Sequence, residues 1–190
     1  DIQSPEHAKE TAMALGRTLR DTRRVRRGLG SIRQDLNVSV GCGDRVEIKG
    51  CQDLGWIPQI VRLEMVRQVH MYRLANDLRS SLGLPPLPPN RDLDDIGIES
   101  EVAEAVAEHI PLEYIDVTNA FVSCESRMVT EGLARGYTML SLPLNGFAGK
   151  IGSKSLDVEG AQLPRLGREL AGAAKLAGGR GVFHSDELPA

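Results

Sequence analysis

Apolar and polar residues along the chain follow two periods, and the change from one to the other divides its first half. Ala8, Ala12, Leu15 and Leu19 recur at spacings of four, three and four, one face of a helix that starts at Ser4-Pro5-Glu6 and reaches about residue 22. Ser4 can accept from a first-turn amide, Pro5 has no amide to leave unpaired, and Glu6 complements the positive helix end. Gly28 and Gly30 break the helix, and the chain then alternates with period two. Ile32, Leu36, Val38 and Val40 fall on one side, with Gln34 the exception, and Arg33, Asp35, Asn37 and Ser39 on the other. Val46 and Ile48 likewise oppose Arg45, Glu47 and Lys49. A three-residue loop Gly41-Cys42-Gly43, with Gly43 left-handed, pairs Ser39 with Arg45, Asn37 with Glu47 and Asp35 with Lys49. A slip of one residue would mix the two faces, so the pattern selects this register.

The helical period returns from Ile57-Pro58 to about Ser81, with Ile60, Leu63, Val66, His70, Leu74 and Leu78 inward and Arg62, Arg67, Arg73 and Arg79 largely outward. His70 has no second His, Cys or carboxylate at ligand spacing, which favours a hydrogen-bonded core histidine over a catalytic one. Gly83 and Pro85 stop this helix, and LPPLPPNRD (84–92) is a stiff spacer that continues neither element. Beyond it, residues 99–109 predict a short helix with Val102 and Val106 inside and Glu101, Glu104 and Glu108 as a solvated outer row. DVTNAFV, a helix over about 123–135, the strand YTMLSLPL, a helix over about 164–176 and GVFHSD then give a β-α-β-α-β order. Asn145-Gly146 marks a turn, and Gly146 to Lys154 a flexible loop. The fold class is α+β, with two domains.

Charge sharpens that division. The net charge of the 190 residues is −3, yet residues 1–83 hold 14 Lys and Arg against 10 Asp and Glu, a net of +4, while the remainder carries −7. The front half can therefore face phosphate, whereas the back half as a whole does not favour it. Arg17, Arg20, Arg23, Arg24, Arg26 and Arg27 crowd the end of the first helix. Two readings remain open for them, a solvated helix end and a phosphate-facing patch. Cys42, Cys51 and Cys124 are odd in number and widely spaced, which supports free thiols rather than disulfides or zinc. No apolar run spans a bilayer and no leader is visible, so a cytoplasmic location is expected. The start at Asp1, without Met, leads us to expect a segment of a longer protein.

Most chemical signatures are missing. GLGSIR and GCGDRV are neither GxGxxG nor followed by a helix, and no Walker lysine motif, nucleophile elbow, HExxH or Cys-His arrangement occurs. His184 and Asp186 would share one side of a strand and could begin a metal site without completing it; a hydrogen-bonded polar strand end accounts for them as well. The polar face of the hairpin remains. Asp35, Asn37 and Glu47 are oxygen donors suited to magnesium or its water shell, and Arg33, Arg45 and Lys49 can neutralise phosphoryl oxygens. Opposite charges would also decorate an ordinary exposed sheet. The row of Ser39, Asn37 and Asp35, in place of long charged side chains, tilts the balance toward a site.

GSIRQDLNVSV followed by RVEIKG resembles the segment shared by the B-type and E-type subunits of tRNA-dependent amidotransferases, in which a C/Q-D-x-N-x-S strand precedes a VEIK strand. DIQSPEHA is similar to the family's helix start, while LPRLGRELA and GVFHSDELPA resemble the archaeal glutamyl-tRNA(Gln) amidotransferase E-type subunit; Gln34, where the B type has cysteine, agrees. The likeness covers nearly the whole chain. It implies that residues 1–84 form the C-terminal part of a catalytic cradle domain, 85–95 a proline-rich linker, and 96–188 an insert similar to that of aspartyl-tRNA synthetases. It further implies a part in converting Glu-tRNA(Gln) to Gln-tRNA(Gln), using ATP, Mg2+ and ammonia from a D-type amidase partner in a hetero-oligomer. Arg33, Asp35, Asn37, Ser39, Glu47 and Lys49 would then bind substrate, and Arg23, Arg24, Arg26 and Arg27 tRNA. The family's principal metal-binding His and Glu residues would precede Asp1, so the ligands of the metal and the catalytic groups are not assigned. The alternative is a non-catalytic module that binds tRNA or another subunit.

Overall fold

The computed structural model describes residues 1–28, 30–90, 104, 107, 108, 113–154 and 166–187. They form two compact units, one of residues 1–75 and 87–90, the other of residues 76–86 and the described residues beyond 91. No helix among the described residues is long and apolar enough to cross a membrane.

In the first unit, helix α1 (Pro5–Asp21) opens as its sequence dictates, with the Ser4 hydroxyl accepting from the His7 amide at 3.0 Å. Ala12 is buried, but Leu15 and Leu19, which the spacing assigns to the same inner face, are 54% and 41% exposed. Only the first half of the helix is covered, and its apolar stripe runs out past that cover. Strands β1 (Gln34–Val38) and β2 (Val46–Cys51) pair antiparallel, with Asn37 opposite Glu47 and Val38 opposite Val46. Helix α2 (Ile57–Ser81) follows, its residues from 76 on belonging to the second unit, and ends on a left-handed Gly83, with the amides of Gly83 and Leu84 returned to the carbonyls of Ser80 and Arg79. Ala12, Cys51 and Ile57 form the core, with Ala8, Leu36, Leu54, Ile60 and Val61 packed around it. The ribbon contributes Leu36 and Cys51 to it.

The apolar stripe of α2 does not carry the burial that its period predicts. The buried positions are Ile57, Glu64 and Gln68, whereas Ile60, Leu63, Val66, His70, Leu74 and Leu78 are only half-buried. Arg67, expected to point outward, folds back onto Glu64. His70 is half-buried and has no hydrogen-bond partner among the described residues, so it is not the bonded core histidine expected.

The second unit departs further from its predicted β-α-β-α-β order. Strand β3 (Ile115–Asp116) pairs antiparallel with β4 (Leu140–Ser141), each only two residues long. Most of DVTNAFV forms a 3-10 turn (Thr118–Phe121) instead of a strand. Helices α3 (Arg127–Ala134) and α4 (Leu166–Leu176) lie within their predicted spans, and Gly136 at φ 79° ends α3 as expected. GVFHSD is not a strand; Ser185–Glu187 is a single 3-10 turn. The helix expected over 99–109 falls mostly outside the described residues, including Glu101, Val102 and Val106, although Glu104 and Glu108 are helical and exposed. Gly146 is left-handed, as the Asn-Gly turn requires. The loop after it is pinned rather than free: the Asp186 carboxylate accepts the amides of Gly149 at 2.8 Å and Gly152 at 3.0 Å.

Candidate functional site

The alternation of residues 33–49 survives folding. Arg33, Asp35, Asn37, Ser39, Arg45, Glu47 and Lys49 are all exposed, while Leu36, Val38, Val46 and Ile48 are buried or half-buried. Because side chains in a strand point alternately to its two sides, Asp35, Asn37, Glu47 and Lys49 share one open face, and Arg33, Ser39 and Arg45 are exposed just beyond the strand ends. Asn37 and Glu47 are directly opposite, as predicted. Ser39 and Arg45 lie just past the last paired residues, Val38 and Val46.

Asp35 and Lys49 do not pair as predicted. Leu36 faces Ile48 but Gln34 faces Cys51, so β2 holds one residue more than β1 between these pairs. Gly50, at φ 77°, takes up this bulge, and its amide donates to Asp35 Oδ1 at 2.8 Å. Lys49 turns instead to Glu47 on its own strand, with Nζ 2.8 Å from Oε1. That hydrogen bond, with the charge of Glu47, raises the pKa of the lysine. The side chains of Arg33, Asn37, Ser39 and Arg45 have no hydrogen bond or ion pair among the described residues. The face therefore combines a bonded carboxylate, an ion pair and four side chains with open hydrogen-bonding capacity.

The turn at the ribbon's end also differs. Gly43 donates its amide to the Val40 carbonyl at 3.0 Å, but it is not left-handed. Its glycine character serves proximity instead: a Cβ there would collide with Gln68 Oε1. Gln68, which no sequence pattern singles out, is 5% exposed, and its amide is fully engaged beneath the ribbon. Oε1 accepts from the Val40 amide at 3.0 Å, and Nε2 donates to the Val38 carbonyl at 3.1 Å and to Glu64 at 2.9 Å. Burial pushes the Glu64 carboxyl up, but hydrogen bonds from Arg67 and Gln68 and the Arg67 charge bring it below the ordinary glutamate value. The available signal is a polar pair, Glu64 and Gln68, at i and i+4 in line with Ile57.

The basic end of α1 is a separate feature of the same unit. Arg17, Arg20, Arg23, Arg24, Arg26 and Arg27 are all exposed, and Val25, Arg26, Arg27, Gly30 and Ser31 line an open hollow of about 480 Å³. Arg23 itself is left-handed, at φ 56°. Cys51 is a buried thiol whose pKa is raised by burial and then by Asp53, a poor nucleophile. Cys42, Cys51 and Cys124 are free.

The second unit holds no cluster of three potential metal ligands, nor does any other part of the described residues. His184 packs against Gly152 and Gly167, with Nε2 3.5 Å from Glu187 Oε1, while Asp186 holds the loop. The hydrogen bonds from the Gly152 and Gly149 amides lower the Asp186 pKa. A separate groove of about 460 Å³ is lined by Met128, Val129, Leu133, Tyr137 and Phe183, with the Arg180 guanidinium 5.6 Å from the Tyr137 ring centre. Its residues come from two stretches far apart in the chain, 128–139 and 178–183, a juxtaposition no local pattern announces.

The chain is similar to known proteins along its whole length. The chain is 39% identical over 189 residues to the E-type subunit of the glutamyl-tRNA(Gln) amidotransferase of Thermococcus gammatolerans and, equally, to that of Pyrococcus furiosus. It is 36% identical over 191 residues to the corresponding protein of Methanocaldococcus jannaschii. Each alignment takes in 100% of this chain and 26% of the relative, so the chain spans about a quarter of these proteins. Residues 1–141, which include both helices and the whole ribbon of the first unit, match the model of the GatB/GatE catalytic domain, and the chain belongs to that family.

Proposed function

We propose that the open face of the ribbon is part of the floor on which a glutamyl-tRNA(Gln) amidotransferase binds the reacting groups of its substrates. In this reading a γ-carboxylate oxygen of the glutamate esterified to tRNA(Gln) attacks the γ-phosphorus of ATP, and ADP leaves. Ammonia from a D-type amidase partner then attacks the acyl carbon, forms the C–N bond and expels phosphate, giving Gln-tRNA(Gln). Residues 1–84 would belong to the catalytic cradle, with 85–95 as its linker and 96–188 as an insert.

One observation carries the reading: Asp35, Asn37, Glu47 and Lys49 project from one exposed face of the ribbon, with Arg33, Ser39 and Arg45 exposed at the strand ends, while the apolar residues of the other side are buried or half-buried. Arg33, Arg45 and Lys49 suit phosphoryl oxygens, as cations able to give charge-assisted hydrogen bonds. Asn37 and Ser39 can orient the carboxylate or the nucleotide through uncharged contacts. A magnesium ion would find oxygen donors in Asp35, Asn37 and Glu47; bridging phosphates is the chemistry it would supply. Asp35 Oδ1 and Glu47 Oε1 are engaged with Gly50 and Lys49, so these residues fit part of a coordination shell and not all of it.

The test uses the full-length subunit with its partner. Lys49→Ala and Asn37→Ala should each abolish transamidation while the folded signal persists. Asp35→Asn is the better probe at its position, because it removes charge but keeps an acceptor for Gly50. Normal turnover in all three would end the reading. The exposed arginines favour a second contribution, in which Arg23, Arg24, Arg26 and Arg27 hold tRNA phosphates.

A further inference from the structure

We infer that Gln68 is a positioning residue for the candidate reaction centre, a side-chain clamp that sets the backbone on both sides of Ser39 and so aims Asn37 and Ser39. The inference rests on the reading of the ribbon face given above. Along one edge of a strand, the carbonyl of a residue and the amide two places on face the same neighbour. Here those two groups are Val38 C=O and Val40 N–H, and no strand takes them among the described residues. A single carboxamide does so, accepting from Val40 at 3.0 Å and donating to Val38 at 3.1 Å. Gln68 thus substitutes for a neighbouring peptide group at the place where β1 leaves its ladder.

The clamp is itself held. The second amide hydrogen goes to Glu64 Oε1 at 2.9 Å, and Glu64 receives Arg67 through both carboxylate oxygens, at 2.8 and 2.9 Å. A buried network with every member satisfied is rigid and admits one arrangement, whereas an unsatisfied one is costly. An apolar side chain of the same length would fill this position and pack on the core without needing any partner. What it would not do is fix two peptide planes. Gly43 completes the device, because the turn rests against the carboxamide so closely that a methyl group would have to displace it.

The test again uses the full-length subunit with its partner, following transamidation of glutamylated tRNA. Gln68→Met keeps length and removes the hydrogen bonds. It should lower kcat at least tenfold, about 1.4 kcal/mol in the activation barrier, with KM for the tRNA within twofold. Gly43→Ala, which leaves Gln68 in place but crowds its Oε1, should shift kcat in the same direction, also without a change in KM. It decides the question where Gln68→Met does not fold. Ile57→Val, trimming the fully buried core residue, is the control, and its kcat should stay within twofold at a comparable loss of thermal stability. A clamp variant with unchanged kcat, or an Ile57 variant that loses kcat equally, overturns the positioning role. Failure of the ribbon reading has a different signature: Asn37→Ala and Lys49→Ala would then both keep full turnover, and the role of Gln68 would fall with them.

Discussion

The two antiparallel pairs of this chain differ in what holds them. β1 and β2 pair over five and six residues, and their register follows from alternation, since every second side chain must reach the core. β3 and β4 pair over two residues each, all four of them exposed, and side chains from the connecting segments do the holding. Thr118 accepts the Met139 amide at 2.9 Å, while Asp116 takes the Thr118 amide at 2.9 Å and has its pKa lowered by the Thr118 contacts. The first pair has a free face because its backbone and core already fix it. The second spends its polar groups on its own order, so little is left for a ligand.

The strongest way to break this contrast is to exchange the outcomes. Lys49→Ala or Asn37→Ala should lower transamidation by two orders of magnitude or more with only a small change in unfolding temperature. Thr118→Ala should do the reverse, leaving turnover within twofold while losing about 1 kcal/mol of stability, the ordinary net worth of a hydrogen bond. Turnover assays paired with thermal unfolding decide it, and a catalytic loss at Thr118 with none at Lys49 would invert the assignment.

These outcomes also show how far the sequence is legible. The two long helices, the two faces of the ribbon and the Asn37–Glu47 pair all follow from periodicity, because each depends on many residues agreeing. The bulge does not, although Gly50 inside a strand is its signal, since a lone glycine can as easily pack against a neighbour as twist the backbone. Gln68 escapes because a polar residue in an apolar stripe is ordinarily assigned to the outside, and only the folded chain shows which backbone atoms meet it. In the second unit, GVFHSD reads as a strand on apolar content alone. The hydrogen bonds of Asp186 to Gly149 and Gly152 join positions more than thirty residues apart, a link no local pattern encodes.

A smaller effect is expected at the basic end of α1. Replacing Arg23, Arg24, Arg26 and Arg27 with glutamate should weaken tRNA binding by the full-length protein at least tenfold and flatten its salt dependence, by roughly 0.7 to 0.9 in the log–log slope for each phosphate no longer neutralised. Titrations at several salt concentrations measure both. An unchanged slope would return these arginines to the role of a solvated helix end.

In the second unit, Asp186→Asn should speed hydrogen exchange at the Gly149 and Gly152 amides without altering turnover. The pH dependence has a definite sign. The carboxyl is held below its ordinary value in the folded state, so its contribution is complete above about pH 4, the unfolded carboxylate pKa, and fades as pH falls through the lower folded value. Exchange at these two amides should therefore rise on acidification beyond the intrinsic trend in the wild type and not in the variant.

The smallest effect sharpens the comparison most, because it separates stability from function at one residue. Arg23 sits at φ 56°, where the chain leaves α1, a conformation that disfavours any side chain with a Cβ by about 1 to 2 kcal/mol relative to the right-handed form. Glycine is the usual occupant of such a position, and Arg23→Gly should gain up to about 1 kcal/mol after its greater unfolded-state entropy is counted. For a chain of this length that is a rise of roughly 2 to 4 °C in Tm. A phosphate contact by its guanidinium would offset such strain. Arg23→Gly should then raise Tm while lowering tRNA affinity a fewfold, whereas a rise in Tm with unchanged affinity would leave the strained arginine without a part in binding.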